Sequence, residues 1–485
     1  LMCARQVGKC ASENSMVPMA DGTRRRLADV HVGDQVVGLA KDGAGLAVGR
    51  VLWKSERLLR PSSRIRTRLG HDMLFADTHP VRTWGAWTQT RDLVVGSRVA
   101  STRRLPGHQA AGMDDARVVY LACMVTNGST VSNNFSFTRD ERTAAADLFQ
   151  EACSSLGFLT RRNIDNACAS WHMSQAKDSA ARRAVEEDGL WGKPAALKQL
   201  PDWALRLDVA QRALLLAVMF SCDGSVTRPA PSSVSVCYHS TSMVLVRQVQ
   251  HLLWQFGIPS SVTTVTPPVY EGTDKHGYNL RVETQQGVRT FLREIGALEK
   301  TDGFDAPDIE ENNNRDTYPI EIQRDISRIA DRTTASFRAE GLRRTIEYPL
   351  SKRKFRAFVD FFTRNLPGDR EVEELRAHVD TGLIWDEVES IEQAGDQWCY
   401  DIQVEDLESF VADGIVTHNS TTIGNMALIA ATTQDRHAAL YVSPTEIQTS
   451  EFSKTRLRTV IEDSPYLRVF LDRKHDAETY KRFLI

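Results

Sequence analysis

Short runs of alternating apolar and polar residues, punctuated by Gly and Asp, fill the first hundred positions of the chain, as in Gln35-Val36-Val37-Gly38 and Leu93-Val94-Val95-Gly96. A period of two sends one side of each run to a core and the other to water, so residues 10–105 are predicted to be short β-strands. The pattern changes from 118 to about 300, where longer helical segments alternate with strands. Residues 301–370 open as an acidic, Asn-rich linker (Glu310-Glu311-Asn312-Asn313-Asn314) and become basic helix from Arg324 to Arg356. Strands return from about 383, in Glu387-Val388-Glu389-Ser390-Ile391 and Tyr400-Asp401-Ile402-Gln403-Val404. This reads as a β domain split by an insertion. Its two pieces must pair, because neither could bury a face alone.

Two segments in the insertion repeat each other. Tyr120 to Ser129 and Leu216 to Ser225 are both apolar helices that end in an acid or amide, then Gly, then Ser. One such helix is an ordinary buried helix with a Gly stop. Two of them, nearly a hundred residues apart, predict tandem half-domains. Ala122 and Ala217 would let the helices pack closely.

Bulk properties add bounds. At 485 residues, two to four domains are expected. A formal net charge of −3 leaves any nucleic-acid surface to a local patch. The eight cysteines show no CxxC spacing, which fits a reducing, cytoplasmic setting where a lone thiol can be a nucleophile. No apolar run reaches membrane-span length, so no membrane partner is expected. Leu1 and Leu484-Ile485 both read as cuts in a longer protein.

A phosphate-binding loop is divided between the chain's ends. Cys3-Ala4-Arg5-Gln6-Val7-Gly8-Lys9 lacks the hydroxyl residue that should follow its lysine, and Ser420-Thr421-Thr422 supplies it far downstream. Removing Cys10 to Asn419 restores a Walker A pattern, with Gly8, Lys9, Ser420 and Thr421 around the phosphates. The edges of the interruption carry matching chemistry. Cys10 can attack the Lys9 carbonyl and turn an amide into a thioester. Ser420 can take over the acyl chain. The Asn419 amide can attack its own carbonyl and cleave the chain, with His418 polarising that carbonyl or moving the proton. No cofactor is needed, since one peptide bond is exchanged for another.

From Cys10 through Asn419 the chain resembles the inteins. Ala76-Asp77-Thr78-His79-Pro80 sits where that family carries Thr-x-x-His, which implies that His79 activates the first scissile bond. Trp398-Cys399-Tyr400-Asp401-Ile402 matches the late block whose Asp assists the first step, so Asp401 takes that role. Ala76 replaces the usual Thr, and Glu408 stands where many inteins place a His, leaving Glu408 or a water to help Asn419 cyclise. The repeated helices resemble the paired motifs of LAGLIDADG homing endonucleases, supported by Lys198-Gln199-Leu200-Pro201, Leu252 to Pro259 and Phe291 to Gly296. That resemblance implies double-stranded DNA as partner, Mg²⁺ held by a carboxylate from each motif at Asp223 and at the Asn127 position, and Lys198 as a charge-stabilising lysine, against the alternative of a solvated Lys. Asn127 is an amide, which predicts a degenerate nuclease. The basic helices from Arg324 to Arg356 either clamp phosphates or form a solvated face.

The joined flanks resemble the large terminase subunit of tailed phages, with recombinase and helicase hosts as alternatives. This implies an ATP- and Mg²⁺-dependent host within a DNA-packaging motor complex. The expected architecture is multi-domain. A host fragment (1–9) precedes an all-β Hint-type splicing domain (10–105 and 383–419). That domain is interrupted by an α/β endonuclease of αββαββα repeats (118–300) and the helical segment (301–370), and a P-loop α/β ATPase fragment (420–485) follows. The competing readings are a splicing-inactive DNA-binding module and a direct P-loop ATPase fragment.

Overall fold

The computed structural model describes residues 10–418, apart from 111, 132–133, 166–167, 231–232, 267–275, 305–315 and 344–347, together with 461, 468–469, 471–477 and 480–483. The two β-rich segments form one nine-stranded sheet. Its spine is the strand Leu383–Tyr400, antiparallel to Leu58–Thr67 on one side and to Arg98–Thr102 on the other. The register slips between Val388 and Ser390 and between Gln393 and Gly395, which lets so long a strand follow the twist of the sheet. One core draws Ala11, Val36, Val51, Ile65, Phe75 and Val99 from before the insertion and Val388, Ile402, Phe410 and Ile415 from after it. Each piece supplies apolar side chains that only the other can cover. The run Tyr400 to Val404, read above as one strand, turns at Asp401: Tyr400 closes the long strand, and Ile402–Val404 joins Leu46–Lys54 in another sheet.

The insertion contains two copies of an αββαββα unit. The first motif helix, Asp115–Val125, and the second, Val209–Asp223, start under Asp caps: Asp114 accepts from the Ala116 N–H at 2.8 Å, and Asp208 from the Gln211 N–H at 2.8 Å. Both helices are apolar around most of their circumference and pack on each other, Ala122 and Ala217 among the buried residues. Each leads into a four-stranded antiparallel sheet of the same topology. One continuous core covers both halves.

Residues 316–377 add a small helical unit, Ile322–Ala330, Lys352–Asn365 and Arg370–Ala377. It docks on the splicing sheet through Trp84, which donates to Asp325 at 2.7 Å and stacks edge-on against Tyr318 and Trp385. Its cations face acids of the same unit: Arg328 meets Asp325 and Glu371, Arg332 meets Asp369 and Glu371, and Arg356 meets Asp380. These three guanidiniums are therefore engaged in surface ion pairs rather than open to phosphates. Among the described residues, no helix is long and apolar enough to cross a membrane.

Candidate functional site

Two sites emerge, one at each end of the chemistry anticipated above. At the first, Cys10 precedes the strand Ala11–Ser12, wedged between two others: Ala11 faces Phe75 on one side and Tyr400 on the other, and Ser12 faces Cys399. Continuing that register sets Cys10 level with Asp401. The Ala76 N–H donates to the Cys10 carbonyl at 3.0 Å, and the His79 N–H donates to the Ala76 carbonyl at 2.8 Å. The turn holding His79 is thus pinned to the first residue of the insert. Cys10, Ala76 and Cys399 form a small buried cluster with Leu58 beside it. Burial first, then the negative charges of Asp401 and Cys399, push the Cys10 thiol up to about 12, with Arg60 opposing. At neutral pH the sulfur keeps its proton, so attack requires that proton to leave in the same step.

The other end of the insert arrives at the same turn. Ile415–His418 pairs with Ser409–Ala412 and with Pro80–Thr83, and the match of Thr417 with Val81 sets His418 level with Pro80, next to His79. Both imidazoles are buried. His418 packs edge-on to Trp87 at 4.7 Å; His79 packs edge-on to Phe75 at 4.9 Å and lies 6.2 Å from Phe410. The Thr90 N–H and hydroxyl both donate to the His79 carbonyl, at 2.9 and 2.8 Å. Asp401, also buried, exchanges two hydrogen bonds with Ser55: its N–H to the Ser55 hydroxyl and its carbonyl from the Ser55 N–H, each 2.9 Å. Glu408 is exposed, with φ at 49°. Segment 76–80 therefore touches both the Cys10 strand and the His418 strand. Gly8, Lys9, Asn419, Ser420 and Thr421 lie outside the described residues.

The second site is where the motif helices end side by side. Asn127 and Asp223 stand at equivalent places, each before a Gly that no other residue could replace. A Cβ on Gly128 would fall 2.6 Å from the Met124 carbonyl oxygen, and one on Gly224 would fall 2.5 Å from that of Phe220. Each helix end is capped by a lysine. Lys198 donates to the carbonyls of Met124, at 2.8 Å, and Gly128, at 2.5 Å; Lys300 donates to those of Phe220, at 3.2 Å, and Gly224, at 2.6 Å. Lys198 is 3 % exposed, so the solvated alternative fails. Burial lowers its ammonium to about 8. Burial also raises the Asp223 carboxyl to about 6, against the pull of Lys198, Arg139 and Lys300.

Lys300 and Arg139 went unnoticed in the sequence. The signal for Lys300 was the repeat itself, since each lysine lies 70 to 76 residues after the glycine it caps. Arg139 had no comparable signal. The centre thus holds one carboxylate, one amide and three cations. Among the described residues no group of three or more acidic, His or Cys side chains is arranged to hold a metal ion. A pair of divalent ions needs hard, negative oxygen ligands in both halves, and the Asn127 half does not provide them. The residues present do not fit two metal ions.

Residues 210–296 match the family described as LAGLIDADG-like domain. The replicative DNA helicase DnaB of a Synechocystis strain is 23% identical over 73% of this chain and 43% of its own length. DnaB of Rhodothermus marinus is 22% identical over 85% and 46%, and the RecA protein of Mycobacterium bovis 27% identical over 59% and 38%. The chain therefore spans less than half the length of these relatives. Among solved structures, a mutant Ssp DnaB mini-intein aligns with 10% identity over 85% of this chain and 99% of its own, at a TM-score of 0.27. Mesophilic variants of the homing endonuclease I-DmoI align with 10% identity over 37% and 88%, also at 0.27.

Proposed function

We propose that residues 10–419 excise themselves and join Lys9 to Ser420. The observation that carries this reading is the meeting of both insert ends at segment 76–80: Cys10 through the Ala76 hydrogen bond, His418 through strand pairing with Pro80–Thr83. In the proposed sequence the Cys10 sulfur attacks the Lys9 carbonyl, the C–N bond breaks, and the thiol proton passes to the freed amine. His79, in the turn that Ala76 pins to Cys10, and Asp401, level with Cys10 in the strand register, are assigned to assist the transfer. The Ser420 hydroxyl then takes the acyl group, releasing the thiol. Asn419 cyclises with His418 polarising its carbonyl, and the ester shifts to the Ser420 nitrogen to give an amide. The test is gel analysis of the expressed chain. Splicing yields an excised insert and a short ligated product, and Cys10→Ala with Asn419→Ala yields full-length chain alone. An unmutated chain that stays intact overturns the proposal.

The LAGLIDADG-like match and the doubled fold support a second role for the insert as a binder of double-stranded DNA at its own insertion site, with strand cutting impaired by Asn127. For the host, the rejoined Walker A loop supports a P-loop ATPase acting in the cytoplasm of the host cell. We favour a phage terminase in a packaging motor on the Ala4 to Lys9 and Ser420-Thr421 pattern. The helicase and the recombinase named among the relatives are the competing hosts. ATP hydrolysis by ligated but not unspliced chain would support the P-loop reading.

A further inference from the structure

The two halves of the insertion also differ on the strand facing each motif glycine. In the first half Gly128 faces Phe137 across the hairpin, and in the second Gly224 faces Tyr238. Two residues further along, the equivalent positions are Arg139 and Ser240. Arg139 reaches across to the other half. Its guanidinium donates to the Ser221 carbonyl at 2.6 Å and the Cys222 carbonyl at 2.9 Å, both at the end of the second motif helix, and approaches the Asn127 amide oxygen at 3.4 Å. Its guanidinium thus lies at the seam between the two helix ends, within reach of Asn127 and close enough to Asp223 for its charge to act on that carboxyl. Ser240 is too short to do the same for the half that keeps Asp223.

Resting on the LAGLIDADG-like reading, we propose that Arg139 is a built-in cation standing where a divalent ion would sit beside Asn127, so that Asn127→Asp alone does not create a metal site. A carboxylate at 127 would meet a guanidinium already fixed by two helix-end carbonyls, and the ion pair would form instead of the metal site. The loss of the acid and the presence of the arginine are then one linked change. Recovery of metal binding requires reversing both.

The test uses the full chain with Cys10→Ala and Asn419→Ala to block splicing, and Mn²⁺ as the probe. Free Mn²⁺ is followed by electron paramagnetic resonance during titration of the parent, Asn127→Asp, Asn127→Asp/Arg139→Gln and Asn127→Asp/Arg139→Lys. Gln and Lys both keep a side-chain N–H donor, but only Lys keeps the charge. The Gln double variant should bind Mn²⁺ at least tenfold more tightly than the Asn127→Asp and Lys variants. Equal affinity of Asn127→Asp and the Gln double variant overturns the proposal, and so does a Gln double variant no tighter than the parent. Gel shift on duplex DNA carrying the uninterrupted insertion site is run alongside. Failure of every variant to shift that DNA counts against the DNA-binding reading, while the Mn²⁺ pattern still decides the role of Arg139.

Discussion

Gly414 launches the strand that carries His418 to the downstream junction, and a single methyl there should disturb both fold and chemistry. Its φ is +86°, in the left-handed region that residues with a Cβ adopt only at a cost. A Cβ would lie 2.4 Å from the His71 ring and 2.9 Å from that of Trp254. His71 cannot readily retreat, since it is buried and shares a 2.8 Å hydrogen bond with the Ser101 hydroxyl. The backbone term is about 1–2 kcal/mol. Overpacking adds roughly 1–3 kcal/mol. Gly414→Ala should therefore lose about 2–5 kcal/mol in urea unfolding. Gly85, with φ +69° and nothing within 4 Å of its would-be Cβ, is the control, and Gly85→Ala should lose only the backbone term. The chemical consequence should be one-sided. Cleavage at Asn419 should slow more than thiol-induced cleavage at Cys10, because the Cys10 strand is held by Phe75 and Tyr400 rather than by this turn. Gly414→Ala with the stability of Gly85→Ala, or with both cleavages slowed equally, would refute the reasoning.

Three further outcomes follow from the same structure. With the Cys10 thiol held near 12 and its proton leaving within the step, cleavage at Cys10 in an Asn419→Ala chain under saturating thiol should change little across pH 6–9; a rise of about tenfold per pH unit would show that preformed thiolate is the attacking species instead. Asp386 is raised to about 7 by burial, so the stability tied to its neutral form is full below about 4 and is lost as pH rises through 7. The Asp386→Asn chain should accordingly match the parent in urea at pH 4 and surpass it at pH 8, and parallel curves at both pH values would rule this out. Asp208 caps the second motif helix, and Asp208→Ala should cost about 1 kcal/mol by urea unfolding, an unchanged midpoint being the contrary result.

What could be read in advance depended on how far apart the interacting residues lie in sequence. Period-two runs and the return of strands near 383 marked a β domain in two pieces, because a strand's alternation is written in neighbouring residues. The apolar helix ending in Gly was equally local, and the close approaches of Gly128 to Met124 and of Gly224 to Phe220 show why no other residue serves. The spine strand was legible only in part. Its register slips at Val388 and Gln393 change which face each residue presents, so eighteen residues looked like a short strand and a remnant. The ion pairs of the 316–377 unit were hidden for another reason: Arg328 and Arg332 meet Glu371 some forty residues on, and only folding reveals that the charge is answered.

The joint between the splicing sheet and the inserted module was the least legible feature, and it changes how the two relate. From the helix Met243–Gln255, Arg247 donates to the Gly70 carbonyl, His251 contacts the Gly22 carbonyl at 2.8 Å, and the Trp254 carbonyl accepts from the Leu105 N–H at 3.1 Å. The charges of Arg24, Arg247 and Asp413, each half-buried, act on one another there, and the Asp413 carboxylate also accepts from the Met16 N–H at 2.8 Å. Breaking such a cluster leaves a half-buried charge short of a counter-charge, which costs stability. The inserted module is therefore built into the wall of the splicing domain at the turn before Ile415–His418. Deleting it would take Arg247 from beside Asp413, while Arg24, which Arg247 repels, would keep Asp413 as its own counter-charge, so the carboxylate rather than Arg24 is the residue to replace in a clean deletion.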